Sequence, residues 1–185
     1  IKTDYRNLMQ NQNDSFYNLG IVPKMLQVID RMRLVSPTPV QRSAIPLAIE
    51  GKDIVAVAQT GTGKTLAFGI PMVQLLANSR GQALVLAPTR DLALQVHQVF
   101  KGILHPFKMN AVVLIGGMPM GRQIQLLRGR PHVIIATPGR LIDHLEHRTV
   151  HLNKVSLLVL DEADRMLDMG FAVQVNHILK CLPHK

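Results

Sequence analysis

The sequence predicts an α/β fold in which a parallel sheet is covered by helices on both faces. Short runs rich in apolar and β-branched residues alternate along the chain with amphipathic helical patterns, which is the order that βαβ units produce. These runs are continuously apolar rather than alternating, as expected of strands buried on both faces. The predicted strands cover residues 53–57, 83–87, 111–115, 133–136 and 157–160.

Helices are predicted before and between these strands. Pro23 is suited to the first turn of a helix over residues 23–32, and Pro39 opens a second helix over residues 39–50. The first 15 residues are polar and are expected to form a flexible lead-in, so that one domain would cover residues 16–185. The helices that follow the strands are predicted at residues 64–78, 91–102, 119–128, 139–147 and 171–181.

The composition favours a polyanionic partner and argues against several other classes of protein. The 21 Lys and Arg residues exceed the 12 Asp and Glu residues, giving a formal net charge of +9. The single cysteine excludes an internal disulfide and a zinc site built from several cysteines. We find neither an apolar run long enough for a bilayer nor a signal-peptide pattern, and therefore expect no membrane partner and an intracellular location, cytoplasmic or nuclear.

Polar or glycine-containing clusters follow every predicted strand. Because the carboxyl ends of parallel strands share one edge of a sheet, all five clusters are expected to line the edge where open α/β folds bind ligands. Gln123, Arg122, Arg128, Arg130 and the eight histidines show no comparable pattern, and most are predicted to be surface side chains. The five clusters are residues 58–64, 88–90, 116–117, 137–140 and 161–164.

The segment at residues 58–65, with the sequence AQTGTGKT, has the spacing of a phosphate-binding loop between a strand and a helix. Glycines allow backbone N–H groups to turn towards phosphates, and the helix N-terminus adds its positive dipole end. Lys64 is predicted to reach the outer phosphates, and the Thr65 hydroxyl to bind Mg²⁺. The alternative is a glycine-rich turn with a chance Lys-Thr pair, which the strand and helix signals on either side disfavour.

Two carboxylates follow the last apolar run. Asp161 is predicted to hold Mg²⁺, and Glu162 to orient or deprotonate the water that attacks the outer phosphate of a bound nucleotide. Acidic residues also favour helix N-termini for electrostatic reasons, so this pair alone does not define a site. A phosphate-binding loop expected on the same edge favours the nucleotide interpretation.

Six motifs in this order resemble those of the DEAD-box ATP-dependent RNA helicases, from about Phe16 to the end of the chain. The resemblance implies the N-terminal RecA-like P-loop domain of a two-domain enzyme that couples ATP hydrolysis to local unwinding of RNA duplexes. The motifs are PTPVQ at 37–41, AQTGTGKT at 58–65, PTRDLA at 88–93, GG at 116–117, TPGR at 137–140 and DEAD at 161–164.

The resemblance also implies roles for individual residues at the nucleotide. Gln41 would read the edge of adenine, Phe16 would pack near the base, and Lys64, Asp161 and Glu162 would carry catalysis. This sequence has Arg33 and Leu34 where the family usually has Gly and an aromatic residue, so we expect weaker nucleotide affinity, which Leu34→Phe would raise. The residues assigned to ATP are Phe16, Leu34, Gln41, Thr60, Gly61, Thr62, Gly63, Lys64 and Thr65.

Three clusters are assigned to the RNA backbone by the same resemblance. Helix N-termini and arginines bind phosphates without reading bases, so sequence-independent and salt-sensitive binding is expected. Each cluster alone could instead be an ordinary helix cap. Asp164 would couple the nucleotide site to the second domain. The RNA-binding residues are predicted to be Pro88, Thr89, Arg90, Gly116, Gly117, Thr137, Pro138, Gly139 and Arg140.

Family members carry a Ser-Ala-Thr motif and a second RecA-like domain after these motifs, and neither occurs before Lys185. The 185-residue chain is therefore expected to bind ATP weakly, to hydrolyse it poorly and not to unwind duplexes. One alternative is an ATP-gated RNA clamp or scaffold with little unwinding. Another is an unrelated P-loop ATPase acting on DNA or protein, which Gln41 and the cluster at 137–140 disfavour.

Overall fold

The computed structural model of this chain describes residues 15–183. These form two compact units, one ending at Leu75 and the other starting at Leu76. The lead-in predicted for residues 1–15 lies outside the described residues except for Ser15. The Ser15 hydroxyl accepts a hydrogen bond from the backbone N–H of Tyr17 (3.3 Å) and so caps the first helical turn.

The first unit is helical. Val22 and Thr38 are the N-caps of its first two α-helices, and each is followed by a proline at N1, where the missing N–H costs no hydrogen bond. Phe16, Ile45 and Ile70 are among its most deeply buried side chains. Its elements are a 3₁₀ helix (Phe16–Asn18), α1 (Pro23–Arg31), α2 (Pro39–Ile49) and α3 (Lys64–Ala77), of which α3 continues two residues past Leu75.

Helix α1 ends in a Schellman motif, which accounts for the chain geometry at Arg33. The N–H of Leu34 donates to the carbonyl of Ile29 (3.2 Å), and that of Arg33 donates to the carbonyl of Asp30 (2.9 Å). Arg33 consequently has a left-handed backbone with φ of 57°. Glycine is the residue that adopts this conformation without steric cost, and arginine is strained there.

We expect Arg33→Gly to raise the free energy of unfolding by about 1 kcal/mol, because it relieves this strain at an exposed helix end. Urea unfolding of the two proteins measures the change. Gln27→Gly is the matched control, since Gln27 is exposed within α1, where glycine costs about 1 kcal/mol. Destabilisation by both substitutions would contradict the strain at Arg33.

The strand predicted at residues 53–57 is absent from the structure, and this prediction was wrong. Residues 52–59 form neither helix nor strand, and Val55 and Val57 are 96% and 97% exposed. Composition favours a strand here, but a strand exists only where a neighbouring backbone supplies hydrogen bonds. Within the described residues, no strand pairs with this segment.

The second unit contains a four-stranded parallel sheet with strand order β2-β3-β1-β4. The register aligns the carboxyl ends of the four strands, with Leu86 opposite both Ala136 and Leu160, and Ala136 opposite Leu114. Its strands are β1 (Gln82–Leu86), β2 (Ala111–Leu114), β3 (Val133–Ala136) and β4 (Val155–Leu160). Its helices are α4 (Arg90–Leu104), a 3₁₀ helix (His105–Phe107), α5 (Met120–Arg128), α6 (Pro138–Glu146), α7 (Ala163–Asp168) and α8 (Ala172–Lys180).

The central strands are buried on both faces, which confirms the predicted α/β fold class. Leu84, Leu114 and Ile134 belong to a core cluster that also contains buried residues of α6, α7 and α8. The intervening residues Val85 and Ile135 point to the opposite face and are equally buried. The continuous apolar runs of β1, β2 and β3 therefore reflect two packed faces.

The predicted helices and the other four strands match the observed ones to within about two residues at their ends, the scatter usual for such boundaries. Helix α7 was missed because it has only six residues. Gly170, with φ of 81°, separates it from α8.

Candidate nucleotide and RNA sites

The glycine-rich loop of the first unit leads directly into α3, as predicted. Gly61 and Gly63 have φ values of 81° and 85°, and α3 begins at Lys64. The Lys64 ammonium donates to the carbonyl of Ala58 (2.9 Å), and the Thr62 hydroxyl donates to that of Gln59 (2.6 Å). The Lys64 ammonium is thus already hydrogen-bonded to the loop that precedes α3. A bound phosphate would compete with the Ala58 carbonyl for this ammonium.

Gln41 is buried and connects α2 to this loop. Its carboxamide oxygen accepts a hydrogen bond from the backbone N–H of Thr38 (3.0 Å). The backbone N–H of Gln41 in turn donates to the Thr38 hydroxyl (3.4 Å), which completes a capping box. The carboxamide nitrogen donates to the carbonyl of Gly63 (3.0 Å). These side-chain bonds use two of the four that a carboxamide can make, so recognition of adenine by Gln41 stays a prediction.

The two residues predicted to pack near the base lie in different surroundings. Phe16 is 2% exposed and forms part of the core of the first unit. Leu34 is half-buried at the end of α1. Packing of either against adenine stays a prediction, and for Phe16 it would require the ring to leave the core.

In the second unit, the acidic motif follows β4. The N–H of Asp161 donates to the carbonyl of Leu86 (2.9 Å), which extends strand pairing into the motif. Glu162 is the N-cap of α7 and has a left-handed backbone with φ of 51°, a conformation that costs a glutamate on the order of 1–3 kcal/mol. Its carboxylate pairs with Arg165 (3.2 Å). Arg33 has a similar backbone at a helix end, so this conformation does not by itself assign a role, and the catalytic role of Glu162 stays a prediction.

The three clusters assigned to RNA meet in one groove. They follow β1, β2 and β3, which are neighbours in the order β2-β3-β1, so their loops lie side by side at the carboxyl edge. The groove has a volume of about 340 Å³. Its lining contains Pro88, Thr89, Arg90, Gly116, Thr137, Gly139 and Arg140 from the prediction, together with Asp143, Met169 and Phe171, which were not predicted.

Gly117 packs directly against Arg90. It has φ of 76°, and a Cβ atom at this position would overlap the Arg90 guanidinium. Because residue 117 has no side chain, the guanidinium of Arg90 can occupy its position beside the Gly116–Gly117 pair. Gly116 differs, because a Cβ atom there would meet no heavy atom within 4 Å.

Arg140 connects the third cluster to the second. Its guanidinium donates to the carbonyl of Met118 (2.8 Å) and pairs with Asp143 (3.2 Å). Thr137 and Pro138 hold the N-cap and N1 positions of α6, but the Thr137 hydroxyl makes no capping bond. The Thr89 hydroxyl does cap α4, accepting from the N–H of Leu92 (3.3 Å).

Gln123 and His144, predicted to be surface side chains, are fully buried. Gln123 bonds to the backbone around the Gly116–Gly117 pair, and His144 contacts both Gln123 (3.3 Å) and Thr149 (2.7 Å). The sequence contained one signal for the burial of Gln123. Gln123 precedes the half-buried Leu127 by four residues, so the two side chains lie on the same face of α5.

Burial lowers the pKa of His144 below its ordinary value of 6.5, and the positive charge of Arg140 lowers it further. The unfolded chain therefore binds this proton at higher pH than the folded one. We expect the free energy of unfolding to fall as pH drops from 7.5 through 6.5 towards the folded pKa. Urea unfolding across this range measures the decline, which His144→Gln should reduce.

In His144→Gln, part of the decline in the free energy of unfolding with falling pH should remain, because burial also lowers the pKa of His97. Identical pH dependence in wild type and His144→Gln would contradict the assignment to His144.

No helix in the described part of the chain has the length and apolar character needed to cross a membrane.

Comparison with known proteins identifies relatives of this chain. The sequence model of the DEAD/DEAH box helicases matches residues 38–185. The ATP-dependent rRNA helicase of Lodderomyces elongisporus is 49% identical over 172 residues, covering 91% of this chain and 34% of that protein. The corresponding helicase of Candida albicans is 47% identical over 174 residues, covering 92% and 33%.

A solved structure, described as a hypothetical ATP-dependent RNA helicase from Sulfolobus tokodaii, superposes with a TM-score of 0.80. Its sequence identity is 36%, over 85% of this chain and 46% of that one. The parallel sheet and the phosphate-binding loop define a P-loop domain with the RecA-like fold. The chain belongs to the DEAD/DEAH box helicase family. It spans about a third of the length of the curated relatives it matches.

Proposed function

We propose that this chain is the ATP-binding half of an RNA helicase core that grips the RNA backbone and couples ATP hydrolysis to local unwinding. The observation that carries the RNA part is the groove in which Arg90 and Arg140 lie beside the N-termini of α4 and α6. Two cations and two helix N-termini on one edge suit consecutive phosphates. The relatives are named rRNA helicases, so ribosomal RNA is the first substrate to test.

Binding in this groove would read the backbone rather than the bases. The predicted contacts are guanidinium groups, hydroxyls and backbone N–H groups, which carry no base code. Each neutralised phosphate on a single strand contributes about −0.7 to the slope of log affinity against log salt concentration. Recognition of 2′-hydroxyls would give a preference for RNA over DNA.

For the nucleotide, we propose that Lys64 contacts the outer phosphates and that Glu162 orients or deprotonates the attacking water. Release of Lys64 from the carbonyl of Ala58 would accompany phosphate binding. The position of Glu162 directly after β4 and its pairing with Arg165 support this role, since they place a carboxylate at the carboxyl edge of the sheet. Asp164 is proposed to couple this site to the second domain.

The proposed Mg²⁺ ligands are Thr65 and Asp161. A hydroxyl and a carboxylate provide the hard oxygen atoms that this ion prefers, and the phosphates of ATP would supply others. Among the described residues, no three His, Cys, Asp or Glu side chains are grouped to hold a metal without such help. The ion would neutralise phosphate charge during transfer.

We further propose that the second RecA-like domain is needed for efficient turnover. Arginine fingers contribute about 10³–10⁵ in rate in related phosphoryl-transfer enzymes. Without them the 185-residue chain would bind ATP weakly and unwind nothing. Robust RNA-stimulated hydrolysis by residues 1–185 alone would contradict this proposal.

The decisive test is the ATPase rate of the full-length protein with and without single-stranded RNA, together with unwinding of a short RNA duplex. RNA-stimulated hydrolysis and unwinding are expected. Stimulation by DNA or protein but not RNA would indicate a different P-loop ATPase.

A Glu162→Gln variant of the full-length protein distinguishes a helicase from an ATP-gated RNA clamp. Loss of function in vivo with RNA kept bound supports the helicase, and unchanged function supports the scaffold.

A further inference from the structure

We propose that Gln123 is a positioning residue that holds the Gly116–Gly117 loop in the shape required for RNA binding. The inference rests on the RNA-binding function proposed above and adds a buried residue that does not line the groove itself. Gln123 would act through the loop, with no contact of its own to RNA.

The carboxamide of Gln123 ties both ends of this loop. Its oxygen accepts from the N–H of Ile115 (3.1 Å), and its nitrogen donates to the carbonyls of Ile115 (3.2 Å) and Met118 (2.9 Å). This set of partners fixes which end of the amide is oxygen, because an N–H can only donate and a carbonyl can only accept. The two glycines lie between the tied residues.

His144 holds the carboxamide from its other side. The imidazole Nε2 lies 3.3 Å from the Gln123 oxygen, and Nδ1 lies 2.7 Å from the Thr149 hydroxyl. Since the Gln123 oxygen is an acceptor, Nε2 must carry the hydrogen in this contact. Gln123 and His144 are fully buried, so water does not replace these bonds when one is removed.

The tied loop in turn locates both arginines of the groove. The Met118 carbonyl accepts from Arg140 (2.8 Å) as well as from Gln123, and Gly117 packs against the guanidinium of Arg90. A loop freed at Ile115 and Met118 would therefore change the position of both cations together. RNA affinity would fall although no group that contacts RNA had been altered.

A buried glutamine can also be merely a satisfied core residue, and Gln74 in the first unit is the matched example. It is buried, accepts from the N–H of Val22 (3.0 Å) and donates to the carbonyl of Gly20 (3.0 Å). Residues 20 and 22 have no predicted role in RNA binding. Loss of Gln74 should therefore affect folding stability but not the geometry of the groove.

The test compares Gln123→Met with Gln74→Met in the full-length protein, since methionine preserves volume and removes the hydrogen bonds. Dissociation constants are measured for fluorescently labelled single-stranded RNA and for ATP, with Tm and amide hydrogen exchange at residues 115–118. Gln123→Met should weaken RNA binding by about tenfold and accelerate exchange in the loop. Its ATP affinity should stay within about twofold of wild type.

Gln74→Met should lower Tm comparably and leave RNA affinity within about twofold. Equal losses of RNA affinity in the two variants, or unchanged exchange at residues 115–118 in Gln123→Met, would overturn the proposal. Gln123→Leu serves if the first variant does not fold, because it also removes the hydrogen bonds to the loop and places no charge in this buried site. Wild-type protein that binds no RNA would refute the proposed function, and loop exchange would then still decide whether Gln123 positions the loop.

Discussion

Gly63→Ala is expected to lower the free energy of unfolding by about 2–3 kcal/mol and to abolish ATP binding. The φ of 85° at Gly63 alone costs an alanine about 1–2 kcal/mol. The added Cβ atom would also overlap the carboxamide nitrogen of Gln41. That carboxamide is buried and held by Thr38, so it cannot move aside without breaking the capping box of α2. Urea unfolding and titration with a fluorescent ATP analogue measure the two effects.

Gly61→Ala is the matched control within the same loop. Gly61 has nearly the same φ, 81°, but a Cβ atom there would meet no heavy atom within 4 Å. Its loss of stability should therefore be limited to the backbone cost of about 1–2 kcal/mol. Equal destabilisation by the two substitutions would show that the contact with Gln41 contributes nothing.

Gly117→Ala is expected to weaken RNA binding by about tenfold while costing about 1–2 kcal/mol of folding stability. Its φ of 76° accounts for the loss of stability. The new methyl group would displace the guanidinium of Arg90, which is the exposed end of a flexible side chain and can move. The displaced cation no longer occupies the groove, so its charge-assisted bonds to phosphate are lost. Binding of labelled single-stranded RNA to the full-length protein provides the measurement.

The neighbouring glycine provides the comparison for folding. Gly116 has no positive φ, and a Cβ atom there would lie in open space. Gly116→Ala should therefore change the free energy of unfolding by no more than about 0.5 kcal/mol. If Gly116→Ala destabilised the protein as much as Gly117→Ala, neither the φ at residue 117 nor the packing of Arg90 could be the cause.

Both pairs of variants depend on the same physical distinction. At Gly63 the neighbouring group is fixed by its own hydrogen bonds, so a methyl group is expected to damage the fold and the nucleotide loop together. At Gly117 the neighbour is a mobile side chain, so the same methyl group is expected to act on ligand binding more than on stability. Contacts of a glycine with its surroundings, rather than its backbone angle, set which property fails first.

Much of the second unit could be predicted from the sequence because its signals are local or simply periodic. The apolar runs at β1, β2 and β3 are buried on both faces, so they have no alternation that could be mistaken for another structure. Parallel order then places the clusters after them on one edge without further information. The groove accordingly brings together seven of the nine residues predicted to bind RNA, including Arg90 and Arg140, whereas Gly117 and Pro138 do not line it.

The features that could not be predicted depend on partners distant in sequence. Residues 53–57 have the composition of a strand, yet pairing depends on a neighbouring backbone that composition does not specify. Gln123 has an ordinary polar side chain, and its burial follows from the position of α5 against the loop after β2. The left-handed backbone of Glu162 likewise has no signature in a residue type that rarely adopts it. Local pattern thus determined the elements and the edge they share, whereas packing determined which polar groups became buried, strained or paired.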